Sequence, residues 1–345
     1  MMLYMAKLFR VISALVLAAV LSGVCAAPSA ADAPEDTGQS FTLTFAHVVS
    51  AAHPKGVAAT RFAELVEEKS NGRIAINVFP DSQLGSEQEI TEMIVLDVVH
   101  FNAPLHSTLV FIIPEFELFD LPYLFYSKDQ AYAALHGALG ERFNEFLAAH
   151  NLVGLGYWTG GFKQLTNNVR PIRTVEDLSG LQMRVSQSPM LISLFRAINA
   201  GGISIAFAEL YSALQTGIVD GQENPLSNIV TRRFYEVQNY VTVSNHGFFV
   251  YPFFMSAETY RQLPLSLRQV IHEAAEETAL FQWELNAATE QEFLAHLYAS
   301  GAVSINYFTD EAKHGFRAAV QSIYDEFARS PSGAELLKIL SGYIN

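Results

Sequence analysis

Hydrophobic and polar positions along this chain repeat with two different periods, and the period switches several times. In Phe41-Thr42-Leu43-Thr44-Phe45-Ala46 the apolar residues fall on every second position, the period of a half-buried strand. From Pro54 to Ser70 they fall at helical spacing instead. Val57, Phe62, Leu65 and Val66 share one face, charges occupy the other, and Asn71-Gly72 ends the helix. Ile74 to Phe79 then predicts a second strand and Ser86 to Leu96 a second helix. The order strand, helix, strand, helix predicts an α/β sheet whose ligands sit beyond the carboxyl ends of strands. The loops after Phe45 and Phe79 are therefore candidate site walls.

A second α/β unit follows. Leu152 to Trp158 predicts a strand, Thr174 to Leu178 a short capped turn or helix, Gln182 to Val185 a strand, and Pro189 to Asn199 a helix. Ile203 to Phe207 predicts a strand and Ala208 to Thr216 a helix closed by Gly217, after which Val219 leads into a turn at Asp220 to Pro225. This places Arg184 and Asn224 just past short buried strands. Leu265 to Ser300 is a run of 36 residues without Gly or Pro. As one helix it would measure about 54 Å, long enough to run along two lobes or to present a dimer surface.

Size and composition fit two domains. The chain has 345 residues, half of them apolar and 12% aromatic, which excludes a disordered protein and allows two cores. Its first 31 residues differ from the rest: Lys7 and Arg10 precede an apolar run from Val11 to Val24, followed by small residues at Cys25-Ala26. This reads as a cleaved secretory signal, since the run is too short for a transmembrane helix. Ala27 to Ser40 reads as a flexible lead-in. Cys25 is the only cysteine and is either part of the signal or a lipidated residue, so the folded part has no disulfide and no thiolate metal site.

Charge narrows the function further. The chain carries 21 Lys+Arg against 35 Asp+Glu, a net charge of −14, and the signal contains two of the basic residues and none of the acidic ones. Such a protein is not built for nucleic acid or anionic lipid. An anionic ligand must be held by local, directed donors against a repulsive background. Arg184, within Met183-Arg184-Val185, is the leading candidate because a guanidinium offers a planar fork that fits a carboxylate. A surface arginine, or one paired with a structural carboxylate, is the alternative. His47, His53, His100 and His106 match no standard metal-site spacing. Glu209 and Asp220 read as a helix-start brace and a turn residue rather than an acid/base pair. Ser186-Gln187-Ser188 lacks the Gly-x-Ser-x-Gly elbow of a serine nucleophile.

Five ordered segments bring the chain close to a known family: Asp120-Leu121-Pro122-Tyr123-Leu124-Phe125, Gly180-Leu181-Gln182-Met183-Arg184-Val185, Phe207 to Gln215, Val219-Asp220-Gly221-Gln222-Glu223-Asn224-Pro225 and Phe234 to Gln238. From about Phe41 to the C-terminus it resembles the solute-binding subunit of tripartite ATP-independent periplasmic (TRAP) transporters, the dicarboxylate-binding-protein type. The resemblance implies an α/β fold of two lobes, with an interlobe cleft, crossing strands and a long C-terminal helix spanning both. Lobe I would comprise 38–160 and 248–288, and lobe II 161–247 and 289–345.

The function so implied is capture of a small organic acid, of the sugar-acid or C4-dicarboxylate class, by hinge closure, and its delivery to the membrane permease subunits. Arg184 matches the family's carboxylate-binding arginine, Asn224 its hydrogen-bonding partner, Phe207 an aromatic wall and Glu87 a polar residue of the first lobe. His47 and His106 lie in loops that match first-lobe contacts. Lys163 stands where many members carry a second arginine, and it lacks the bidentate fork. Asp97 replaces a common glycine, and Gly201-Gly202 replaces a common Asn-Pro. His246 is either a cleft residue from the crossover or a structural one. The expectation is a periplasmic, non-enzymatic receptor with no cofactor, no metal and no nucleic-acid partner, monomeric or dimeric through the long helix. A sensory subunit or a secreted enzyme using the same cleft is the alternative.

Overall fold

The computed structural model describes residues 34–344; the signal segment and Cys25 lie outside the described residues. Its strands are β1 (Phe41–Ala46), β2 (Ile74–Phe79), β3 (Phe101–Asn102), β4 (Leu152–Asn167), β5 (Gln182–Val185), β6 (Gly201–Ser204), β7 (Gly221–Pro225), β8 (Tyr240–Val243), β9 (Phe248–Ser256) and β10 (Ser304–Tyr307). The main sheet runs β2-β1-β3-β9-β4-β7-β5-β6, with β8 pairing β4 and β10 pairing β8.

One strand joins the two halves of this sheet. β4 pairs with β9 along Leu152–Phe162 and then changes partner, meeting β7 along Lys163–Asn167. Beside the changeover the chain crosses back between β8 and β9, where Lys163 N donates to Gly247 O at 2.8 Å. The helix Leu265–Ser300 makes the third connection. Leu267, Ile271, Ala274 and Ala275 join the core of the first half with Phe62, Leu65 and Val66, whereas Leu297 packs with Leu226 and Ile229 of the second. Gly301, with φ +61°, ends it in the left-handed conformation that favours glycine.

Local signals account for most elements. The helix Pro54–Lys69 begins with proline in its first turn and stops before Asn71 and Gly72, both at positive φ. Glu87–Val95 starts at a Ser86/Glu89 capping box. The alternating residues of β1 point Phe45 into a ring cluster with Phe62, Phe101, Trp158 and Phe253, the last two 4.6 Å apart. Burying aromatic side chains of this kind contributes about 1.5–3 kcal/mol each. The last helix, Pro331–Ile344, lies on Ala138–Ala149, with Arg142 bridging to Glu335 at 3.1 Å and the Ala138 amide donating to the Tyr343 hydroxyl.

The second half corrects several expectations. Asp220 to Pro225 is no turn: Gly221–Pro225 is β7, buried between β4 and β5. Asp220 ties it in place through Oδ2, which accepts from Gln182 N at 2.7 Å. Arg184 and Asn224 consequently lie within strands and not beyond them. The strand expected at Ile203–Phe207 begins earlier, at Gly201. Gly202 packs where a Cβ would sit 2.9 Å from Ile192 Cα, and Phe207–Glu209 is a 3-10 turn. Glu209 makes no side-chain cap hydrogen bond. β4, expected to stop at Trp158, continues through its glycines by bulges near Gly154/Gly156 and Thr159/Gly161.

Candidate functional site

Three elements bring polar groups to one cavity, and each does so for a local reason. Arg184 is the buried polar member of strand β5, between Met183 and Val185. Only 4% of it is exposed, and its Nε donates to Ile205 O at 2.9 Å. No other residue among those described accepts from its two terminal Nη groups. Burial lowers its pKa to about 10, against the pull of Glu223 and Glu87, so it stays cationic at neutral pH. A buried guanidinium with most of its donors unused is costly unless an anion meets it.

Asn224, in β7, turns its amide toward the same space. It donates to Gln222 Oε1, and its Oδ1 accepts from Asn228 Nδ2 at 2.7 Å. Phe207 adds a wall, edge-on to Phe234 at 6.0 Å, with the Arg232 guanidinium 5.1 Å from its ring. From the other side of the cleft come Lys55 and Glu87, paired at 3.0 Å, the ammonium also bonding Ala103 O at 3.1 Å and lying 4.4 Å from the Tyr251 ring. Val48, Leu105 and Phe249 complete the apolar lining of this cavity. A single arginine fork at one end and an ion pair at the other suit a small anion bearing polar groups.

Residues 45–330 match the profile of DctP, the bacterial extracellular solute-binding protein family 7. The chain belongs to this family. It is 33% identical over 309 residues to the C4-dicarboxylate-binding protein DctB of Bacillus subtilis, a match spanning 90% of this chain and 88% of that one. A TRAP periplasmic solute-binding protein of Sulfurospirillum deleyianum, solved with succinate, superposes with a TM-score of 0.84 at 36% identity, covering 89% of this chain and 100% of the other. The sugar acid binding protein DctPAm of Advenella mimigardefordensis, solved with galactonate, gives 0.85 at 30% identity, covering 88% and 99%. The two-lobed α/β architecture is therefore that of a TRAP solute-binding protein.

Within this DctP-family fold, Arg184, Asn224, Phe207 and Glu87 meet at the cavity, while four other residues singled out in the sequence lie behind its walls. Lys163 donates to Glu223 Oε1 at 2.7 Å, and the other oxygen of Glu223 contacts His246 Nε2 at 2.8 Å. Burial would raise the Glu223 pKa, but Lys163 and His246 bring it down to about 2. The Lys163 charge is thus matched inside the protein. His246 belongs to that same buried chain, its Nδ1 2.7 Å from Ser244 Oγ. His106 is held between Val250 O and Asp120 Oδ1, while its neighbours Leu105 and Thr108 line the cavity. His47 is fully buried against Phe45; its neighbours Val48 and Val49 line the cavity. Burial, then the nearby Lys55, lowers the His47 pKa to about 3.

Sequence reasoning missed Lys55, Asn228 and Tyr251. Lys55 left one legible signal. It lies in the first turn of the helix Pro54–Lys69, which has no acidic residue there, so its cation opposes the helix dipole. Asn228 and Tyr251 lie in segments whose apolar patterns gave no hint of a polar surface.

Among the described residues, no helix is long and apolar enough to cross a membrane and no group of three or more His, Cys, Asp or Glu could hold a metal ion.

Proposed function

We propose that this protein is the periplasmic receptor of a TRAP transporter, binding a small organic acid through Arg184 and handing it to the membrane permease subunits. The observation that carries this reading is the Arg184 guanidinium, buried at the cavity with its terminal nitrogens unpaired by the described residues. Relatives solved with succinate and with galactonate support a carboxylate as the common group. In this reading the chain is exported with cleavage of its N-terminal segment, is not an enzyme, and divides into lobes near residues 160/161 and 247/248. Asn224 orients the same carboxylate, and Phe207 packs on the ligand's apolar face.

Hinge closure follows from ligand contacts that both lobes make only when together. A thermal-shift screen of dicarboxylates and sugar acids on the purified protein tests the reading. A ligand at 100 times its dissociation constant adds about 2.7 kcal/mol and raises the melting temperature visibly. If no acid in the screen stabilises the protein, the carboxylate assignment is wrong.

A further inference from the structure

A chain of buried side chains runs from the cavity into the second half of the sheet, and every hydrogen bond in it points the same way. At the cavity end Asn228, in the helix Leu226–Thr231, donates through Nδ2 to Asn224 Oδ1 at 2.7 Å. Asn224 Nδ2 donates to Gln222 Oε1, and Gln222 Nε2 donates across to β4, to Thr166 Oγ1 at 2.9 Å. Thr166 Oγ1 donates in turn to Gln238 Oε1 at 2.8 Å. Gln238 Nε2 ends the chain on two backbone oxygens, Val237 O at 2.9 Å and Asp220 O at 3.4 Å. None of the five residues is more than 3% exposed, and only Asn224 and Asn228 line the cavity.

The direction of the chain is set at its far end. A carbonyl oxygen accepts and never donates, so the Gln238 amide must turn its nitrogen to Val237 and Asp220 and its oxygen to Thr166. The Thr166 hydroxyl has one proton. Once that is given to Gln238, its oxygen is left to accept from Gln222 Nε2, which turns Gln222 Oε1 toward Asn224. Asn224 meets that oxygen with its nitrogen and gives its own oxygen to Asn228. One of the two Nδ2 protons of Asn224 is then used, and no other described residue accepts the second. Reversed, Asn224 would present an acceptor to an anion held by Arg184, and neither group would have a proton to share.

We propose that Thr166, anchored by Gln238, is a positioning residue for ligand capture: through Gln222 it holds the Asn224 amide with its nitrogen toward the cavity, ready to donate to the carboxylate that Arg184 pairs with. The inference rests on the Arg184 carboxylate reading and adds a source of orientation that lies outside the cavity wall. An amide fixed before the ligand arrives has no orientation left to lose on binding.

Titration calorimetry with succinate, galactonate and glucuronate tests it, each comparison being made with the probe that binds wild type tightest. Thr166→Val keeps the side-chain shape and removes the hydroxyl; it should weaken that probe at least about tenfold, the loss of a hydrogen bond to a charged group. Thr166→Ser restores the hydroxyl and should bind as wild type does. In an Asn224→Ala background, Thr166→Val should add less than about a twofold loss, because the chain then has no amide to orient. A merely structural role would lower the melting temperature without this dependence on Asn224. Should Thr166→Val fail to fold, Gln238→Met removes the anchor at nearly constant volume and carries the same expectation. Unchanged affinity in a folded Thr166→Val, a Thr166→Ser as weak as Thr166→Val, or an equal loss with and without Asn224 overturns the inference alone. If Arg184→Ala binds every probe as well as wild type, or no probe binds wild type, the carboxylate reading falls and the inference with it.

Discussion

Arg184 is costly where it lies, and the proposed ligand capture would account for that position. Its charge is buried, one donor is used by Ile205 O, and the nearest carboxylates are engaged elsewhere. Replacing it by alanine should weaken acid binding by at least about 2 kcal/mol, because a hydrogen-bonded charge pair loses one partner. Calorimetry reads this directly, and an unchanged dissociation constant would refute the anchor role. His47 sets a different expectation, for stability. Its pKa falls from an ordinary 6.5 to about 3 on folding. Between those values the unfolded chain binds a proton that the native protein does not, so stability falls as pH falls, by up to about 1.4 kcal/mol per pH unit. Above pH 6.5 this group has no effect. Glu223, with its lowered pKa, stabilises above the usual carboxylate range, and that stability is lost only in more acid solution, as pH falls toward about 2. Urea titrations at pH 7.5 and pH 5 should therefore show about 2 kcal/mol less pH sensitivity in His47→Gln than in wild type.

At the scale of elements, β4 and the long helix hold each other in register. Gln282 accepts from Thr159 N at 2.8 Å and donates to Thr159 O at 2.6 Å, satisfying the strand backbone beside its bulge, while Trp283 Nε1 donates to Tyr157 O at 2.8 Å. Gln282→Leu would leave two buried backbone groups without partners and should cost about 2–5 kcal/mol in chemical denaturation. A change below about 0.5 kcal/mol would show that water or a shifted neighbour replaces the amide. The same elements show what sequence patterns convey. β1, β2, β5 and the helix Leu265–Ser300 have the limits their patterns predict, because apolar period, caps and breakers coincide there. β7 was hidden: Gly221-Gln222-Glu223-Asn224-Pro225 has no apolar residue except proline, and its burial depends on β4 and β5 closing over both edges.

For the whole molecule, the opposed walls of the cavity are joined directly by Arg232, which follows the helix Leu226–Thr231. Its Nη2 donates to Val48 O, on the far wall, at 2.6 Å and its Nη1 reaches Asp81, in the loop after β2, at 3.3 Å. In the proposed two-lobe division such contacts would form only when the lobes meet, and they would then bias the equilibrium toward closure. Arg232→Ala should lower ligand affinity by about 1 kcal/mol through the smaller closed population, without touching the acid itself. Small-angle scattering should show a smaller radius of gyration for wild type with saturating ligand than without it. Identical profiles in the two states would argue against hinge closure.

The sequence by itself determined the α/β class and the family, and it singled out Arg184 as the anchor proposed here, because periodicity, caps and short ordered motifs are local properties that survive without coordinates. It also marked Asn224, Phe207 and Glu87, each inside or beside such a motif. Only the tertiary structure decided how the charges are matched. Lys163 is paired with Glu223 and lies behind the wall, whereas Lys55, unremarked in the sequence, lines the cavity with Glu87. Those pairings join residues 60 and 32 positions apart, each brought together by strand order and helix packing within one half of the sheet. Whether a cation is available to a ligand depends on the distance to the nearest carboxylate, and that distance is set by the fold.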